Sequence, residues 1–424
     1  MREKLAILGG KKAVPDGLRV ENWPVIRKED EEAVLGVLRR GVLSGTDAPE
    51  TSAWQKEWAD YCGVKYCLAT NSGTAALHMA VAASGVEPGD EVITTALSWT
   101  STGTCILHHG GIPVFVDIDP RTYNIDVSKI EEAISPRTRA IIPVHLYGQP
   151  ADMGPIMNIA EKHGLSVIED ACQAHGATYR GRRVGGIGHM ACFSTQNSKH
   201  VACGEGGLFV TNDEKLHHSA ARVQQFGENR LPDGRREYNA YGMGWMYRSQ
   251  EMVSAFCRSQ FRRLPEYISI IRKNCEYLTA NLAGIKGLRT PYVLPDCEPV
   301  WWDYKVRFVP EELGLKINPR EFAVRMSDAL RAEGVFLTRW EFVIPDMTLF
   351  QQKRGFGRGY PWSFPGAREI SYDTAQYPEA MAAIKAIMGI YCIKPPNGLE
   401  LMKYYVEAFR KVYNSYEEIL AERT

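Results

Sequence analysis

Short apolar segments alternate with amphipathic segments over residues 66–226, and this alternation limits the folds open to the chain. The apolar segments have the length of buried strands, and the amphipathic ones have the length of helices. Because parallel strands need a crossover connection, the pattern predicts a mostly parallel sheet with helices on both faces. Predicted strands cover 66–69, 91–95, 112–117, 139–144, 165–169, 190–194 and 207–211, and predicted helices cover 73–84, 100–109, 126–134, 152–163 and 213–226.

The length of 424 residues exceeds what one compact core ordinarily holds, so two domains are expected. We predict an N-terminal lead-in over residues 1–22, a large domain over 23–264 and a smaller α+β domain over 265–424. Residues 351–378 are rich in Gly, Pro and aromatic residues, and we predict that they form a packed flap.

Lys199 is the residue on which we centre the functional interpretation. It follows the predicted strand 190–194 and a polar turn, and it precedes Gly204, Gly206 and Gly207. A lysine amine becomes a nucleophile when its pKa falls below the free value of ~10.4, and a constricted loop between strands can desolvate it. Most lysines are solvated surface charges, so the interpretation depends on the residues upstream.

Two upstream motifs supply partners for such a lysine. Asp170 ends the predicted strand 165–169, where open α/β sheets bind ligands, and Gln173 follows three positions later. A carboxylate in that place can keep a pyridine nitrogen protonated, as at pyridoxal phosphate (PLP) sites. Ser72-Gly73-Thr74 opens an apolar helix, whose free N–H groups and dipole favour a phosphate. Together these residues indicate a PLP site.

The chain resembles the sugar and cyclitol aminotransferases of the DegT/StrS family, closely over residues from about 20 to 265 and loosely beyond. The resemblance implies a PLP-dependent transferase of fold type I, with an α/β large domain and a smaller α+β C-terminal domain. The motifs that carry it are Asn-Ser-Gly-Thr-Ala-Ala-Leu at 71–77, Gly-Asp-Glu-Val-Ile at 89–93, Pro-Val-Phe-Val-Asp at 113–117, Pro-Val-His-Leu-Tyr-Gly at 143–148, Ile-Glu-Asp-Ala-Cys-Gln-Ala-His-Gly at 168–176 and Phe-Ser at 193–194 through Lys199 to Gly-Glu-Gly-Gly at 204–207.

The same resemblance implies roles for individual residues. Lys199 forms the Schiff base with PLP and transfers the proton, Asp170 holds the ring nitrogen, Gln173 contacts the phenolic oxygen and Trp99 stacks on the ring. The implied phosphate ligands are Ser72, Gly73, Thr74 and Ser194. Three further side chains are predicted to line the substrate pocket, namely His145, His175 and Arg339.

The implied reaction is a ping-pong transfer of an amino group from L-glutamate or L-glutamine to a nucleotide-linked keto sugar or to a cyclitol ketone such as an inosose. Such reactions serve amino sugar and aminocyclitol biosynthesis, including that of antibiotics. The family also implies a homodimer with active sites at the subunit interface, where an Asn reaches the partner's phosphate. Met246 occupies that Asn position here, which leaves Asn239 or Tyr241 for the role.

Two alternatives share this fold. In a PLP-dependent sugar dehydratase, histidine replaces the Schiff-base lysine, so Lys199 argues against that activity, although His200 is adjacent. A non-catalytic PLP-binding regulatory protein is the other alternative, and the intact set of Lys199, Asp170 and the phosphate turn argues against it.

Composition limits the binding partners, metals and cellular location that are expected for the protein. Fifty basic and fifty acidic residues give a net charge of zero, so binding to nucleic acid or to an anionic membrane is not expected. The ten cysteines include no Cys-x-x-Cys pair, and no residues have metal-ligand spacing, so no metal is predicted. Without a signal peptide or an apolar run of ~18 residues, the protein is expected to be cytoplasmic.

Overall fold

The computed structural model describes residues 3–18, 20–45, 47–230 and 235–421. Residues 1, 2 and 19 of the predicted lead-in, and 422–424 of the predicted second domain, lie outside the described residues. Among the residues that the structure describes, no helix is long and apolar enough to cross a bilayer. The α-helices are α1 (Lys28–Arg40), α2 (Pro49–Cys62), α3 (Gly73–Ala83), α4 (Thr100–His108), α5 (Ile130–Ala133), α6 (Met153–His163), α7 (Glu214–Gln224), α8 (Glu251–Phe261), α9 (Leu264–Leu282), α10 (Pro319–Ala332), α11 (Thr348–Gln351), α12 (Pro378–Ala386), α13 (Leu399–Asn414) and α14 (Tyr416–Ala421).

Strands alternate with these helices through the first half of the chain. They are β1 (Tyr66–Thr70), β2 (Glu91–Thr95), β3 (Ile112–Val116), β4 (Thr138–Ile142), β5 (Ser166–Asp170), β6 (Thr178–Tyr179), β7 (Arg182–Arg183), β8 (Met190–Ser194), β9 (Gly207–Thr211), β10 (Glu228–Arg230), β11 (Arg236–Ala240), β12 (Leu288–Arg289), β13 (Cys297–Glu298), β14 (Tyr304–Phe308), β15 (Leu337–Thr338) and β16 (Ile387–Ile390).

The central sheet has the strand order β1-β9-β8-β5-β4-β2-β3. Neighbours from β8 to β3 are parallel, whereas β9 runs antiparallel to both β1 and β8. The predicted mostly parallel sheet is therefore confirmed. Gly207, at the start of β9, pairs with Thr70 and with Ser194, which end β1 and β8. The loop from β8 to β9 consequently begins and ends at the edge of the sheet where the parallel strands finish.

Both faces of the central sheet are covered, which explains the continuous apolar runs in the sequence. Every residue of β2, β3, β8 and β9 is buried. Strands covered on two faces carry apolar residues at successive positions rather than at alternating ones, although β2 also buries Glu91, Thr94 and Thr95. The runs that predicted the sheet are thus a direct result of helices packing on both of its sides.

The C-terminal part of the chain, residues 265–421, has a sheet of its own. Its strands are antiparallel in the order β12-β14-β16-β15, and α9, α10 and α13 contribute to the same apolar core. Leu5 and Val14 of the predicted lead-in are buried in this core, and the main-chain N–H groups of Ala6 and Ala13 donate to the Glu333 carboxylate. The lead-in therefore packs on the C-terminal part, and the predicted boundaries between the parts remain a prediction.

The flap, defined as residues 351–378, lies along β3, an outer strand of the central sheet. The Tyr372 hydroxyl donates to the carbonyl of Pro113 in β3 over 2.8 Å and accepts from the Trp362 indole, also over 2.8 Å. Arg368 forms an ion pair of 2.9 Å with buried Glu91 at the start of β2. These contacts give the flap a defined packing against the sheet.

Candidate active site

The lysine on which the sequence interpretation is centred lies in the loop between β8 and β9. The loop is folded on itself by the hydrogen bonds from Thr195 N to Gly206 O, from Asn197 N to Gly204 O and from Lys199 N to Gln196 O. It closes one side of a cavity of about 430 Å³. The eight residues predicted to contact the cofactor all line this cavity: Ser72, Gly73, Thr74, Trp99, Asp170, Gln173, Ser194 and Lys199.

The Lys199 amine has an environment suited to a neutral nucleophile. Its Nζ lies 4.4 Å from the centre of the Trp302 ring. Burial lowers the pKa of the Lys199 amine, and the nearby Cys172 and Asp170 oppose this shift only in part. Desolvation disfavours the charged form of an amine, whereas adjacent negative charge favours it. The balance leaves an amine that loses its proton more readily than a lysine in water.

Asp170 ends β5, and its carboxylate is held from two sides. Oδ2 accepts a hydrogen bond of 2.8 Å from the Thr102 hydroxyl in α4, and Oδ1 accepts one of 3.2 Å from the N–H of Cys172. Because Thr102 donates its proton to Asp170, the neighbouring Ser98 hydroxyl donates to Thr102, over 2.9 Å. This chain fixes the direction in which the carboxylate faces the cavity.

The start of α3 provides a cradle for an anion. Ser72 is the N-cap, and its Oγ accepts from the N–H of Ala75 over 3.1 Å. The amides of the first turn of a helix have no carbonyl partner within the helix, and the helix dipole adds positive potential there. A Cβ placed on Gly73 would lie 2.8 Å from the Cβ of Ser194. The close approach of α3 to the end of β8 therefore requires glycine at this position.

Three tryptophans and one amide complete the walls of the cavity. Trp99 is 57% exposed and meets Trp340 edge to face, with ring centres 6.1 Å apart. Trp302 lies beneath the Lys199 amine, as described above. Gln173 accepts the N–H of Tyr147 on its Oε1 over 2.8 Å, which orients the carboxamide and leaves its NH₂ group as a donor.

The three predicted substrate residues do not line this cavity. His145 is fully buried between the Glu169 carboxylate, 3.0 Å from Nε2, and the N–H of Ala151, 3.0 Å from Nδ1. His175 is buried against the rings of Trp58 and Phe193, and burial lowers its pKa well below the ordinary value for histidine.

Arg339, the third of these residues, is held by the carboxylate of Glu341 at 2.6 Å. Its neighbour in the chain, Trp340, is the residue that reaches the cavity. The sequence motif around 337–340 thus approaches the site, with a different side chain from the one predicted.

The segment around Met246 adjoins the phosphate cradle. Asn71, next to Ser72, donates its side-chain NH₂ to the Met246 carbonyl over 3.3 Å. The Met246 side chain is 49% exposed, and Asn239 and Tyr241 are exposed as well. All three side chains considered for the inter-subunit contact therefore lie at the surface of the subunit.

His200, the residue on which the dehydratase alternative depends, does not line the cavity. It is fully buried, and its Nε2 lies 3.1 Å from the carbonyl of Val300. Lys199 lines the cavity instead. Within the residues that the structure describes, no cluster of three or more His, Cys, Asp or Glu side chains could hold a metal ion.

A lysine, an acid at the end of a parallel strand and a helix N-terminus meet in one cavity, which is the arrangement of PLP-dependent aminotransferases. Residues 24–350 match the DegT/DnrJ/EryC1/StrS aminotransferase family, and the chain belongs to that family. Enzymes of this family depend on PLP, so the predicted enzyme class and cofactor are confirmed.

Individual relatives carry names of sugar and cyclitol enzymes. The chain is 41% identical to GDP-perosamine synthase of Caulobacter vibrioides over 255 residues, which are 60% of this chain and 68% of that protein. It is 38% identical to L-glutamine:2-deoxy-scyllo-inosose aminotransferase of Streptoalloteichus tenebrarius over 284 residues, 64% of this chain and 67% of that protein. The crystal structure of S. venezuelae DesV in complex with a ketimine intermediate superimposes on this chain with a TM-score of 0.77 and 29% identity. The superposition covers 91% of this chain and 94% of the DesV chain.

The described residues fit PLP. Gly73 allows the start of α3 to approach the end of β8 closely, which brings the free N–H groups of the helix to the cavity, and Asp170 supplies a carboxylate suited to a protonated ring nitrogen. Trp99 offers a flat apolar surface at the cavity. One subunit therefore offers groups suited to the phosphate, to the ring nitrogen and to the aldehyde.

Proposed function

We propose that this aminotransferase moves an amino group from L-glutamate or L-glutamine to a keto sugar or a cyclitol ketone by a ping-pong mechanism. The observation that carries the proposal is the convergence of Lys199, Asp170 and the start of α3 on one cavity. When bound, PLP supplies an aldehyde for a Schiff base with Lys199 and a ring that accepts electrons. Each following step is assigned to a residue of the chain.

Lys199 is proposed as the catalytic base and acid. A neutral amine is needed both to bond with an aldehyde and to remove a proton from the donor's Cα. The lowered pKa of Lys199 increases the neutral fraction of this amine. After Lys199 has removed the proton from the Cα of the donor, the same Nζ would return it to the carbon of the cofactor that carried the aldehyde. With the acceptor ketone, the same steps would run in the reverse direction.

Asp170 is proposed to keep the ring nitrogen protonated. A carboxylate next to this nitrogen favours its protonated form by charge, which strengthens the pull of the ring on electrons. Thr102 directs Oδ2 and the Cys172 N–H directs Oδ1, so the carboxylate needs little rearrangement to make the contact. Thr102 is thus a positioning residue that sequence reasoning did not identify.

The remaining contacts are proposed to bind and orient the cofactor. Ser72, Gly73 and Thr74 at the start of α3 would hold the phosphate together with Ser194. The NH₂ group of Gln173, whose Oε1 is already engaged, would donate to the phenolic oxygen. Trp99, at the entrance, would cover one face of the ring and limit access of water.

The proposal that the acceptor is a keto sugar or a cyclitol ketone is supported mainly by the names of similar proteins. One is named a GDP-perosamine synthase and another an L-glutamine:2-deoxy-scyllo-inosose aminotransferase. The cavity walls contain Trp99, Trp302 and Trp340, and flat apolar rings suit the C–H faces of a sugar or cyclitol. Both acceptor types belong to amino sugar or aminocyclitol biosynthesis, and both remain within the proposal.

We also propose a cytoplasmic homodimer with active sites at the subunit interface. Large apolar side chains are exposed on α1, at Leu35 and Leu38, and also at Met243 and Met246, of which Met246 adjoins the phosphate cradle. Such surfaces ordinarily mark interfaces. Light scattering should give twice the mass of one chain, and a monomeric mass at working concentration would contradict the dimer.

All ten cysteines are free thiols, which suits a reducing compartment.

Visible absorbance of the protein incubated with PLP tests the first half-reaction. We expect a yellow band that bleaches when L-glutamine or L-glutamate is added. Lys199→Ala should lack the band, whereas Lys28→Ala, at an exposed site on α1, should keep it. A wild-type protein without a band, or with a band insensitive to both donors, would overturn the proposed reaction.

The acceptor is tested on the bleached protein, after the donor has been removed by gel filtration. Addition of an inosose or of a nucleotide-linked keto sugar should restore the yellow band for the correct class. Double-reciprocal plots with both substrates varied should give parallel lines, as ping-pong kinetics require. Intersecting lines would exclude the ping-pong mechanism while leaving the first half-reaction intact.

A further inference from the structure

The carbonyl oxygen of Ser198, directly before Lys199, accepts two side-chain hydrogen bonds. The Lys394 Nζ donates one over 2.8 Å, and the Trp302 indole donates the other over 2.9 Å. Trp302 precedes β14 and Lys394 follows β16, so both donors belong to the C-terminal part of the chain. The position of the Lys199 backbone is therefore coupled to two residues about one hundred and two hundred positions away.

Lys394 is buried without a carboxylate of its own. Only 1% of the residue is exposed, and its Nζ lies 4.1 Å from the centre of the Tyr391 ring. The carboxylate that acts most strongly on the charge of Lys394 is Asp303. Its Oδ2 already forms an ion pair of 2.6 Å with Lys305. Among the described residues no carboxylate forms an ion pair with Lys394. An unpaired buried ammonium is costly, so such a residue calls for a functional explanation.

Lys199 and Lys394 face the same aromatic ring. Their Nζ atoms lie 4.4 Å and 5.6 Å from the centre of Trp302. Burial lowers the pKa of Lys394 to about 7, Asp303 opposes this shift, and the Lys199 charge reinforces it. Two ammonium groups in one desolvated region disfavour each other, so their protonation is coupled.

We propose that Lys394 is a positioning residue for Lys199: it holds the Ser198 carbonyl and, as a neighbouring cation, keeps the Lys199 amine from being protonated at the same time. When Lys199 takes up a proton, release of the Lys394 proton to solvent becomes more favourable. When Lys394 takes up a proton, release of the Lys199 proton becomes more favourable. The inference rests on the proposed role of Lys199 in the reaction. Its test, however, requires neither the amino donor nor the acceptor.

Other titratable groups surround this pair and are the same in all the variants compared below. Groups that interact with Lys394 are Asp303, Cys392, Tyr391 and His200. Groups that interact with Lys199 are Cys172, Asp170, Glu205, His175 and His200. Substitution at Lys394 therefore leaves all of these other titratable groups in place.

The test measures the pH at which Lys199 becomes half reactive. The cofactor-free full-length protein is labelled with acetic anhydride at a series of pH values, and modification of the peptide that contains Lys199 is measured by mass spectrometry. Lys394→Met removes the competing cation, so the midpoint should rise, by about 0.5 pH unit at most because the wild-type Lys394 itself loses its proton with a pKa of about 7. Lys394→Arg keeps a permanent cation, so the midpoint should fall below that of the wild type.

Two further variants separate charge from structure. Lys394→Gln retains a donor for the Ser198 carbonyl but no charge, and it should raise the midpoint as Lys394→Met does. Lys385→Met makes the same charge change at an exposed position and should leave the midpoint unchanged. Circular dichroism identifies any variant that does not fold, and the comparison then uses the other neutral variant.

The proposal is overturned if neutral and charged replacements move the midpoint in the same direction, or if neither moves it. A purely structural role would change labelling without this dependence on charge. Failure of the aminotransferase proposal would instead appear as loss of donor-dependent bleaching in a wild type with a normal labelling profile. The two outcomes are therefore distinguishable.

Discussion

The indole nitrogen of Trp23 donates a hydrogen bond of 2.9 Å to the carbonyl oxygen of Lys199. Trp23 is the first residue after the N-terminal lead-in, and its ring packs edge to face on Tyr267 of α9, with centres 4.9 Å apart. The segment that joins the lead-in to α1 therefore contacts the backbone of the proposed catalytic residue directly. The carbonyls of both Ser198 and Lys199 are held by side chains that are remote in sequence.

Replacement of Trp23 by Phe should lower kcat/KM about five-fold while the fold is kept. Phe preserves the ring contact with Tyr267 but removes one hydrogen bond, which is worth about 1 kcal/mol. Steady-state kinetics and thermal unfolding measure the two effects. Trp362→Phe, which removes a comparable indole bond in the flap, should lower the melting temperature without changing kcat/KM. Equal kinetic effects in the two variants would contradict a specific role for Trp23.

Loss of the Thr102 hydroxyl should weaken catalysis through Asp170. In Thr102→Val the Oδ2 of Asp170 loses its buried donor, so the carboxylate is less well oriented, and we expect a fall of roughly ten-fold in kcat. Asp170→Asn should cost at least a hundred-fold, because the negative charge itself is removed. Single-turnover bleaching with the donor is the measurement.

The matched control for this pair is Thr94→Val. The Thr94 hydroxyl in β2 donates to the carbonyl of Ile142 over 2.8 Å and is equally buried. We expect a loss of stability near 1 kcal/mol and an unchanged rate of bleaching. If Thr94→Val slows bleaching as much as Thr102→Val does, the effect is general and not directed at Asp170.

Addition of one methyl group at Gly73 should prevent tight binding of PLP. The new Cβ would lie 2.8 Å from the Cβ of Ser194, so α3 or β8 must shift at the phosphate cradle. Titration of the cofactor-free protein with PLP should give a dissociation constant at least ten-fold weaker for Gly73→Ala. Gly36→Ala in α1, where no atom lies within 4 Å of the added methyl, should bind PLP normally. Unchanged affinity in Gly73→Ala would count against the cradle.

Acid should destabilise the protein through His78 on α3. Burial lowers the folded-state pKa of His78 to about 3, below its ordinary value of 6.5. The unfolded chain therefore binds the proton first, so stability is complete above pH 6.5 and falls as the pH drops towards 3. Each pH unit in this window costs up to about 1.4 kcal/mol for this group.

Urea unfolding at pH 7.5 and at pH 5.5 provides the measurement. The difference in free energy of unfolding between the two pH values should be about 1 kcal/mol smaller in His78→Gln than in the wild type. His218→Gln, at an exposed position, should show the wild-type difference. An identical pH difference in all three proteins would show that the folded-state pKa of His78 is not lowered and would contradict the prediction.

The central sheet and the residues that line the cavity were predictable because their signals are local. Strand β8 is apolar up to its last residue, Ser194, and Lys199 follows it after four polar residues. Asp170 likewise ends an apolar strand, and parallel strands finish at a common edge. Local patterns of this kind bring residues together once the strand order is set.

The supporting contacts could not be predicted in this way. Trp302 and Lys394 meet the Ser198 carbonyl across 104 and 196 residues, and no spacing in the sequence indicates that pairing. His145 and His175 stand in motifs that resemble the site, but the direction of a side chain at a strand end depends on packing. Their rings face the interior of the protein and do not line the cavity.

The flap has a consequence for how the protein behaves in solution. The match to the family ends at residue 350, and the flap begins at the next residue. A bare outer strand presents unpaired backbone groups that recruit strands from other molecules. By placing Tyr372 against the Pro113 carbonyl, the flap shields β3 from such recruitment. It is in this sense a guard against aggregation, carried by a segment that follows residues 24–350, which match the family.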